Sequence, residues 1–124
     1  MPSDSPITLP DLQARLAEIL RRLAHPPLGS VAAMSEEVGE VAKLLLDHHA
    51  YGKALDPAAL GDELADVLVC LCEIATLHKV DLGDAVLRKI GDLAARAPGW
   101  RKDLGAALDA AWKNPAGPAA QRPD

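Results

Sequence analysis

The sequence contains no phenylalanine, and Tyr51, Trp100 and Trp112 are its only aromatic residues. Its core must therefore be built from Leu, Val, Ile and Ala, and segments rich in Ala and Leu favour helix. No segment shows the polar and apolar alternation of a half-buried strand. With 124 residues, 49% of them hydrophobic and 25% charged, the composition is that of one globular, all-α domain.

Positive charge and long apolar runs are also scarce. The formal net charge is −5, which argues against nucleic acid as a partner because phosphate backbones are bound mainly by Lys and Arg. The apolar run 67–72 is too short to span a bilayer, and the first ten residues lack the features of a signal peptide. Cys70 and Cys72 would point in different directions on a helix, which favours free thiols. We expect a cytoplasmic protein that does not bind membranes.

The apolar periodicity predicts four helices, at about residues 10–24, 31–49, 57–78 and 82–96. N-cap residues precede them, namely Thr8, Ser30, Asp56 and Asp81. The sequence Pro98-Gly99 is expected to end the fourth helix, and a weaker helix is expected at 100–112. We predict a four-helix bundle as a single domain over residues 1–113, followed by a flexible Pro/Ala-rich tail at 114–124. A small core without Phe favours a homodimer or homotetramer.

Acidic side chains interrupt the apolar faces of the second and third helices. In the second helix, Glu37 falls inside the edge of the apolar stripe, Glu40 lies about 60° further round the axis, and Glu36 points toward solvent. In the third helix, Glu63 lies at the stripe edge and Asp66 lies about 60° further out. Each of the two helices therefore offers an inner and an outer carboxylate, one helical turn apart.

These carboxylates lack the basic partners that exposed acidic residues usually have four positions later. Those positions hold Val41, Leu44, Val67 and Cys70, and Lys43 is the one nearby cation. Partly buried carboxylates without partners repel one another or take up protons. A hard divalent cation would resolve this conflict, and Mg²⁺ is the usual ion where oxygen ligands meet phosphates. The alternative is an ordinary solvated helix face.

Two cations break the apolar pattern of the fourth helix. Lys89 falls inside the stripe formed by Leu82, Val86, Ile90 and Leu93, and Arg96 lies close to the same line. They are either side chains that extend along the apolar surface to reach water, or groups that reach into the carboxylate site and bind phosphate oxygens.

The paired acidic motifs resemble a known signature. Glu36-Glu37-Val-Gly-Glu40, followed after 22 residues by Glu63-Leu-Ala-Asp66, is similar to the EExxE…ExxD pattern of the all-α nucleotide pyrophosphohydrolases, which include MazG and MazG-like proteins. Val80-Asp81-Leu82, Lys89 and Arg96-Ala97-Pro98 resemble the end of the MazG unit. The resemblance covers about residues 30–100, and Ala97 stands where the family usually has an aromatic residue.

This resemblance implies Mg²⁺-dependent hydrolysis of nucleoside triphosphates to the monophosphate and pyrophosphate, with Mn²⁺ as an alternative ion. It implies that the metal ligands are Glu37, Glu40, Glu63 and Asp66. Glu36 would orient or deprotonate the attacking water, and Lys89 and Arg96 would contact the phosphate chain. The family's usual role is to cleanse the nucleotide pool, and a second subunit would complete the site.

Other functions remain open at this point. Phosphoribosyl-ATP hydrolysis is an alternative within the same superfamily, and a non-catalytic, metal-binding helical interaction module is an alternative outside it. A di-iron bundle requires a Glu-x-x-His pair. The residues three positions before His48 and His49 are Leu45 and Leu46, so the sequence argues against a di-iron site.

Overall fold

The computed structural model describes residues 6–113, which form four helices and no strand. The helices are α1 (Leu9–Ile19), α2 (Pro27–His49), α3 (Pro57–Leu77) and α4 (Leu82–Lys113). The predicted all-α, four-helix class is therefore confirmed. Residues 114–124, for which we predicted a flexible tail, lie outside the described part of the chain.

Three of the four predicted caps are present. The Thr8 side chain accepts a hydrogen bond from the Asp11 backbone N–H, and the Asp11 carboxylate accepts in return from the backbone of Thr8, which is a capping box. Asp56 accepts from the Ala58 N–H at the start of α3, and Asp81 accepts from the Asp84 N–H at the start of α4. Local sequence is sufficient to place these three helix starts.

The predicted Ser30 cap was wrong. Helix α2 begins at Pro27, four residues before the predicted start at residue 31, because proline is well suited to a first helical position, where no backbone N–H is needed. Ser30 therefore lies within the first turns of α2, where it is 1% exposed. The first helix was also predicted too long: α1 ends at Ile19, and Arg22 adopts a left-handed φ of 61° in the linker that follows.

The fourth helix differs most from the prediction. Pro98-Gly99 does not end it, and α4 continues through both residues to Lys113 as a single helix of 32 residues. A proline inside a helix removes one hydrogen bond, but its fixed φ is itself helical. The Ala- and Leu-rich sequence on both sides favours helix strongly enough to continue past this one interruption.

The helices do not pack in sequence order, because α3 lies between α2 and α1. Helices α2 and α3 form the main pair, α1 lies against α3, and α4 contacts α1 near its own first turn. A Cβ atom at Gly83 would lie 3.1 Å from Cδ of Pro10, so α1 and α4 approach closely there. No described helix combines the length and the apolar character needed to cross a membrane.

The core is small for a chain of this size. Among residues 6–113, the buried apolar side chains are Cys72 and Ala75, and the buried polar ones are Ser30 and Glu73. Both cysteines are free thiols, as predicted. Large apolar residues remain exposed on every helix, and this exposure is most extensive along α4. A single copy of the chain therefore leaves much apolar surface in water.

Candidate metal and active site

Three of the predicted metal ligands meet between α2 and α3. Glu37 of α2 and Glu63 and Asp66 of α3 each present a carboxylate oxygen, and these oxygens lie within 4.8 Å of one another. Glu37 and Glu63 are half-buried, whereas Asp66 is exposed. The predicted arrangement of an inner and an outer carboxylate is thus present on α3. The helix pairing brings these side chains together, because α2 and α3 lie side by side.

Crowding of negative charge affects Glu37 most strongly. Burial raises the pKa of the Glu37 carboxyl group above its ordinary value, and the charges of Asp66, Glu63, Glu36 and Glu40 raise it further. A carboxylate held among like charges favours either a proton or a bound cation. A cluster of oxygen donors alone is the ligand set preferred by a hard cation such as Mg²⁺. The residues therefore fit a divalent metal.

Glu36 and Glu40 lie at the margin of this cluster. Both are exposed on α2, and their charges act on Glu37, but neither belongs to the group of three converging oxygens. Lys43, the nearby cation on the same helix, does not neutralise Glu40. Its ammonium instead lies 3.8 Å from the carboxylate of Asp47, which also binds Lys53 at 3.2 Å. No lysine or arginine among residues 6–113 forms an ion pair with the cluster.

The two predicted phosphate contacts lie on a different part of the fold. Lys89 and Arg96 belong to α4, which packs against α1, and no ion pair among residues 6–113 joins either of them to the carboxylates of α2 and α3. Cζ of Arg96 lies 5.0 Å from the centre of the Trp100 ring. The guanidinium thus has an aromatic neighbour on its own helix.

Sequence patterns did not point to Glu73, which is 8% exposed on α3. Oε1 of Glu73 accepts hydrogen bonds from the backbone N–H of His25 at 2.7 Å and from Oγ of Ser30 at 3.1 Å, and Nδ1 of His25 lies 3.2 Å away. Burial by itself would raise the pKa of Glu73, but the hydrogen bonds outweigh it and the pKa lies below its ordinary value. A glutamate that stands between the apolar run 67–72 and the apolar residues Ile74 and Ala75 was the signal that could have revealed this contact.

Glu73 connects α3 to the start of α2. It joins the linker before α2 to α3, at a point two helical turns beyond Asp66. These contacts position the start of α2 relative to α3, the helix with which it pairs.

Two histidines at the end of α2 contact the loop that follows and each other. Nδ1 of His48 lies 2.8 Å from the carbonyl of Lys53, and the His48 and His49 rings meet edge to face at 4.8 Å.

Comparison with known proteins supports the assignment suggested by this geometry. The sequence model of the MazG nucleotide pyrophosphohydrolase domain matches residues 26–99, which contain all five acidic residues of the two motifs. The chain belongs to the MazG family. Its reaction class is therefore the hydrolysis of a nucleoside triphosphate to the monophosphate and pyrophosphate, and the alternative of a non-catalytic module is not supported.

Two curated relatives are similar to this MazG-family chain. A dATP/dGTP diphosphohydrolase of Cyanophage S-2L is 36% identical over 104 residues, which cover 82% of this chain and 87% of the phage protein. A dCTP pyrophosphatase 1 of Bos taurus is 38% identical over 80 residues, which cover 60% of this chain and 47% of the bovine protein. The phage relative matches along most of its length, whereas the bovine protein extends well beyond the matched region.

Proposed function

We propose that the α2–α3 cluster binds Mg²⁺ and a deoxynucleoside triphosphate and hydrolyses the nucleotide to its monophosphate and pyrophosphate. The observation that carries this proposal is the convergence of three carboxylate oxygens within 4.8 Å, with no ion pair to any of them among residues 6–113. Glu37, Glu63 and Asp66 are the ligands, and Glu40, one turn from Glu37, completes the set. Mn²⁺ is an alternative ion with the same oxygen preference.

The acidic residues of the site have different roles in the proposed reaction. A bound divalent ion neutralises polyphosphate charge and lowers the pKa of water. Glu36, exposed one residue before Glu37, orients the attacking water or accepts its proton, which is the role of a general base within reach of the nucleophile. The half-buried positions of Glu37 and Glu63 hold their carboxylates in place before substrate arrives, so little reorganisation is needed during the reaction.

Lys89 and Arg96 are proposed to bind the phosphate chain. The net charge of −5 opposes the approach of an anionic nucleotide, so cations are needed near the carboxylates. Because α4 does not pack against α2 or α3 as its main neighbour, we propose that the active site is completed in a homodimer or homotetramer, where α4 of another copy can approach the cluster.

The names of the two relatives support the proposed substrate class. Their names specify dATP and dGTP in one case and dCTP in the other, so we propose a deoxynucleoside triphosphate and place the enzyme in the cytoplasm as a nucleotide-pool house-cleaning activity. The longer match with the phage protein favours a purine base. Phosphoribosyl-ATP is the alternative substrate within the superfamily.

The test measures pyrophosphate release from four dNTPs, four NTPs and phosphoribosyl-ATP, each assayed with Mg²⁺ and with EDTA. We expect pyrophosphate and the monophosphate from at least one dNTP, and no release in EDTA. Glu63→Gln removes one ligand charge and should lower kcat/KM by at least ~100-fold. Glu40→Gln should lower it to a similar extent.

Asp62→Asn is the matched control for Glu63→Gln. Asp62 is the residue before Glu63, is exposed and does not belong to the cluster, so this variant should retain activity within about twofold. Calorimetric titration with Mg²⁺ alone separates binding from turnover. Equal Mg²⁺ affinity in wild type and Glu63→Gln, or equal loss of activity in Asp62→Asn, would contradict the proposed site.

A further inference from the structure

A cavity of about 160 Å³ lies between the second half of α1, the linker that follows it and the last turns of α3. Its walls are mostly apolar, with Leu16, Leu20 and Leu77 as the large side chains, and Glu73 is the only acidic residue in its lining. A cavity of about 150 Å³ is large enough to bind benzene. This cavity therefore accommodates one flat ring system and is too small for a whole nucleotide.

The Glu73 carboxylate uses only one of its two oxygens within the fold. His25 and Ser30 both contact Oε1, and no hydrogen bond among residues 6–113 reaches Oε2. No sealed polar side-chain atom in this part of the chain lacks a partner, so Oε2 must reach accessible space, and the cavity is the space that Glu73 lines. A side chain that is only 8% exposed thus presents a free acceptor to an apolar cavity, and such a group requires a donor.

The charges around the cavity favour a neutral donor over a cation. The pKa of Glu73 lies below its ordinary value, so the carboxylate is ionised at neutral pH and can only accept. Arg21 and Arg22 also line the cavity. Arg21 pairs with Glu18, whereas no ion pair among residues 6–113 reaches Arg22. Its positive charge opposes the entry of an ammonium group, and a flat, uncharged ring with an N–H donor fits better.

The cavity lies on the same side of α3 as the outer metal ligand. Asp66 and Glu73 are seven residues apart, so they differ by about 20° around the helix axis and by about 10.5 Å along it. The sugar and the phosphate chain of one nucleotide bridge such a distance. A nucleotide whose phosphates bind at the α2–α3 cluster can therefore place its base in the cavity.

We propose that this cavity is the base pocket and that Oε2 of Glu73 selects bases that carry an exocyclic amino group. This inference rests on the proposed function, because it concerns the base end of the same substrate. The 6-amino group of adenine and the 4-amino group of cytosine donate to Oε2. Hypoxanthine and uracil have a carbonyl oxygen at the same position, and two acceptors that face each other leave both without a hydrogen bond.

Two pairs of substrates test this selection, namely dATP with dITP and dCTP with dUTP. The members of each pair have almost the same shape and differ in the donors and acceptors of one edge. We expect kcat/KM to favour the amino-bearing member of each pair by ~10–100-fold. Each ratio compares two substrates on the same preparation, so it does not depend on the fraction of the protein that is folded.

Glu73→Gln should reverse both ratios. The backbone N–H of His25 has Oε1 as its acceptor and can only donate, so the amide oxygen of a glutamine stays at that position. The amide NH₂ group then takes the position of Oε2 and presents a donor to the cavity. A donor fits the carbonyl oxygen of hypoxanthine or uracil, and we expect the carbonyl-bearing member of each pair to be hydrolysed faster.

Ser30→Ala is the matched control for Glu73→Gln. It removes the hydroxyl that donates to Oε1 at 3.1 Å, so it perturbs the same buried contact, but it leaves Oε2 unchanged. Both ratios should stay within about twofold of the wild type. Circular dichroism verifies that each variant keeps its helix content.

A size variant tests the location of the base separately. Ala17 lines the cavity, and Ala17→Leu should raise the KM of every substrate by at least ~10-fold because the larger side chain occupies the space of the base. Ala14 is exposed on the same helix and lies outside the lining, so Ala14→Leu should leave KM unchanged. Equal KM values in these two variants would contradict a base in the cavity.

Binding without turnover separates this inference from the proposed reaction. The α,β-methylene analogues of dATP and dITP keep the base and cannot release pyrophosphate, and calorimetric titration with Mg²⁺ measures their Kd values. The Kd ratio should favour the dATP analogue in the wild type and reverse in Glu73→Gln. A ratio near one, a ratio that Glu73→Gln leaves unchanged, or analogues that do not bind would overturn the base pocket. A reversed Kd ratio without pyrophosphate release from any substrate would support the pocket and overturn the proposed hydrolysis.

Discussion

Glu73→Gln tests the buried contact that positions the start of α2. The substitution keeps the shape of the side chain and an acceptor oxygen, but it removes the charge. The N–H of His25 at 2.7 Å and Oγ of Ser30 at 3.1 Å both donate to the same Oε1 atom. Hydrogen bonds to a charged acceptor contribute about 1.5–3 kcal/mol each, against about 0.5–1.5 kcal/mol for neutral ones.

Because the donors share one oxygen, we expect the charge removal to lower the free energy of unfolding by about 1–2 kcal/mol in total. A change of 1 kcal/mol shifts Tm by about 4–8 °C in a small domain, so the expected decrease is about 4–16 °C. Glu73→Ala should cost more, about 3 kcal/mol, because it leaves the His25 N–H without its acceptor.

Thermal unfolding followed by circular dichroism at pH 7, at one protein concentration, measures this difference. Glu18→Gln is the control, because Glu18 is exposed and pairs with exposed Arg21 on the surface. Such a pair contributes little to stability, and we expect a shift of less than about 0.5 kcal/mol. A Glu73→Gln variant that melts within 1 °C of the wild type, on the order of 0.2 kcal/mol, would refute the reasoning.

The pH dependence provides an independent check. The pKa of Glu73 is lowered from its ordinary value of 4.5, so its contribution to stability is present above 4.5 and is lost as pH falls through the lower, folded-state pKa. The Tm difference between the wild type and Glu73→Gln should stay constant from pH 7 to about 5 and shrink below 4.5. A difference that grows on acidification would contradict this assignment.

Three further substitutions test other parts of the fold. Burial and the charges of neighbouring carboxylates raise the pKa of Glu37, so the ionised side chain destabilises the metal-free fold once the pH rises above the ordinary pKa of a glutamate. Glu37→Gln should therefore raise the Tm in EDTA at pH 7. The same variant should abolish the increase in Tm that Mg²⁺ causes in the wild type. Pro98→Ala restores one helical hydrogen bond in α4 and should stabilise that region by about 1–3 kcal/mol, measured as slower amide exchange around residue 98. Gly52 has a φ of 66°, so Gly52→Ala should lower the free energy of unfolding by about 1 kcal/mol in urea titrations.

The carboxylate pattern illustrates how far the sequence can be interpreted by itself. The helical period alone places Glu37 and Glu63 at stripe edges, and both are half-buried in the structure. The same period places Asp66 outward, where it is exposed. These are properties of single helices, so sequence spacing is sufficient. Which oxygens converge depends on how α2 and α3 pack, and only the fold separates Glu40 from the group of three.

Helix ends divide in the same way. Thr8, Asp56 and Asp81 cap their helices through contacts within three residues, and all three caps could be predicted. Pro98 could not be interpreted locally, because a proline that ends one helix is tolerated in another when the flanking segments favour helix strongly enough. The distinction depends on the energy of the whole segment and not on one residue.

The sequence alone determined the helical class, three of the caps and the identity of the acidic motifs, because these depend on propensity, spacing and contacts between near neighbours. The tertiary structure determined which partner a side chain contacts when the sequence allows several partners. Glu73 binds residues 43 and 48 positions away, and α4 packs on α1 while many of its apolar side chains stay exposed. These contacts depend on which helix surfaces pack together, and sequence separation does not predict them.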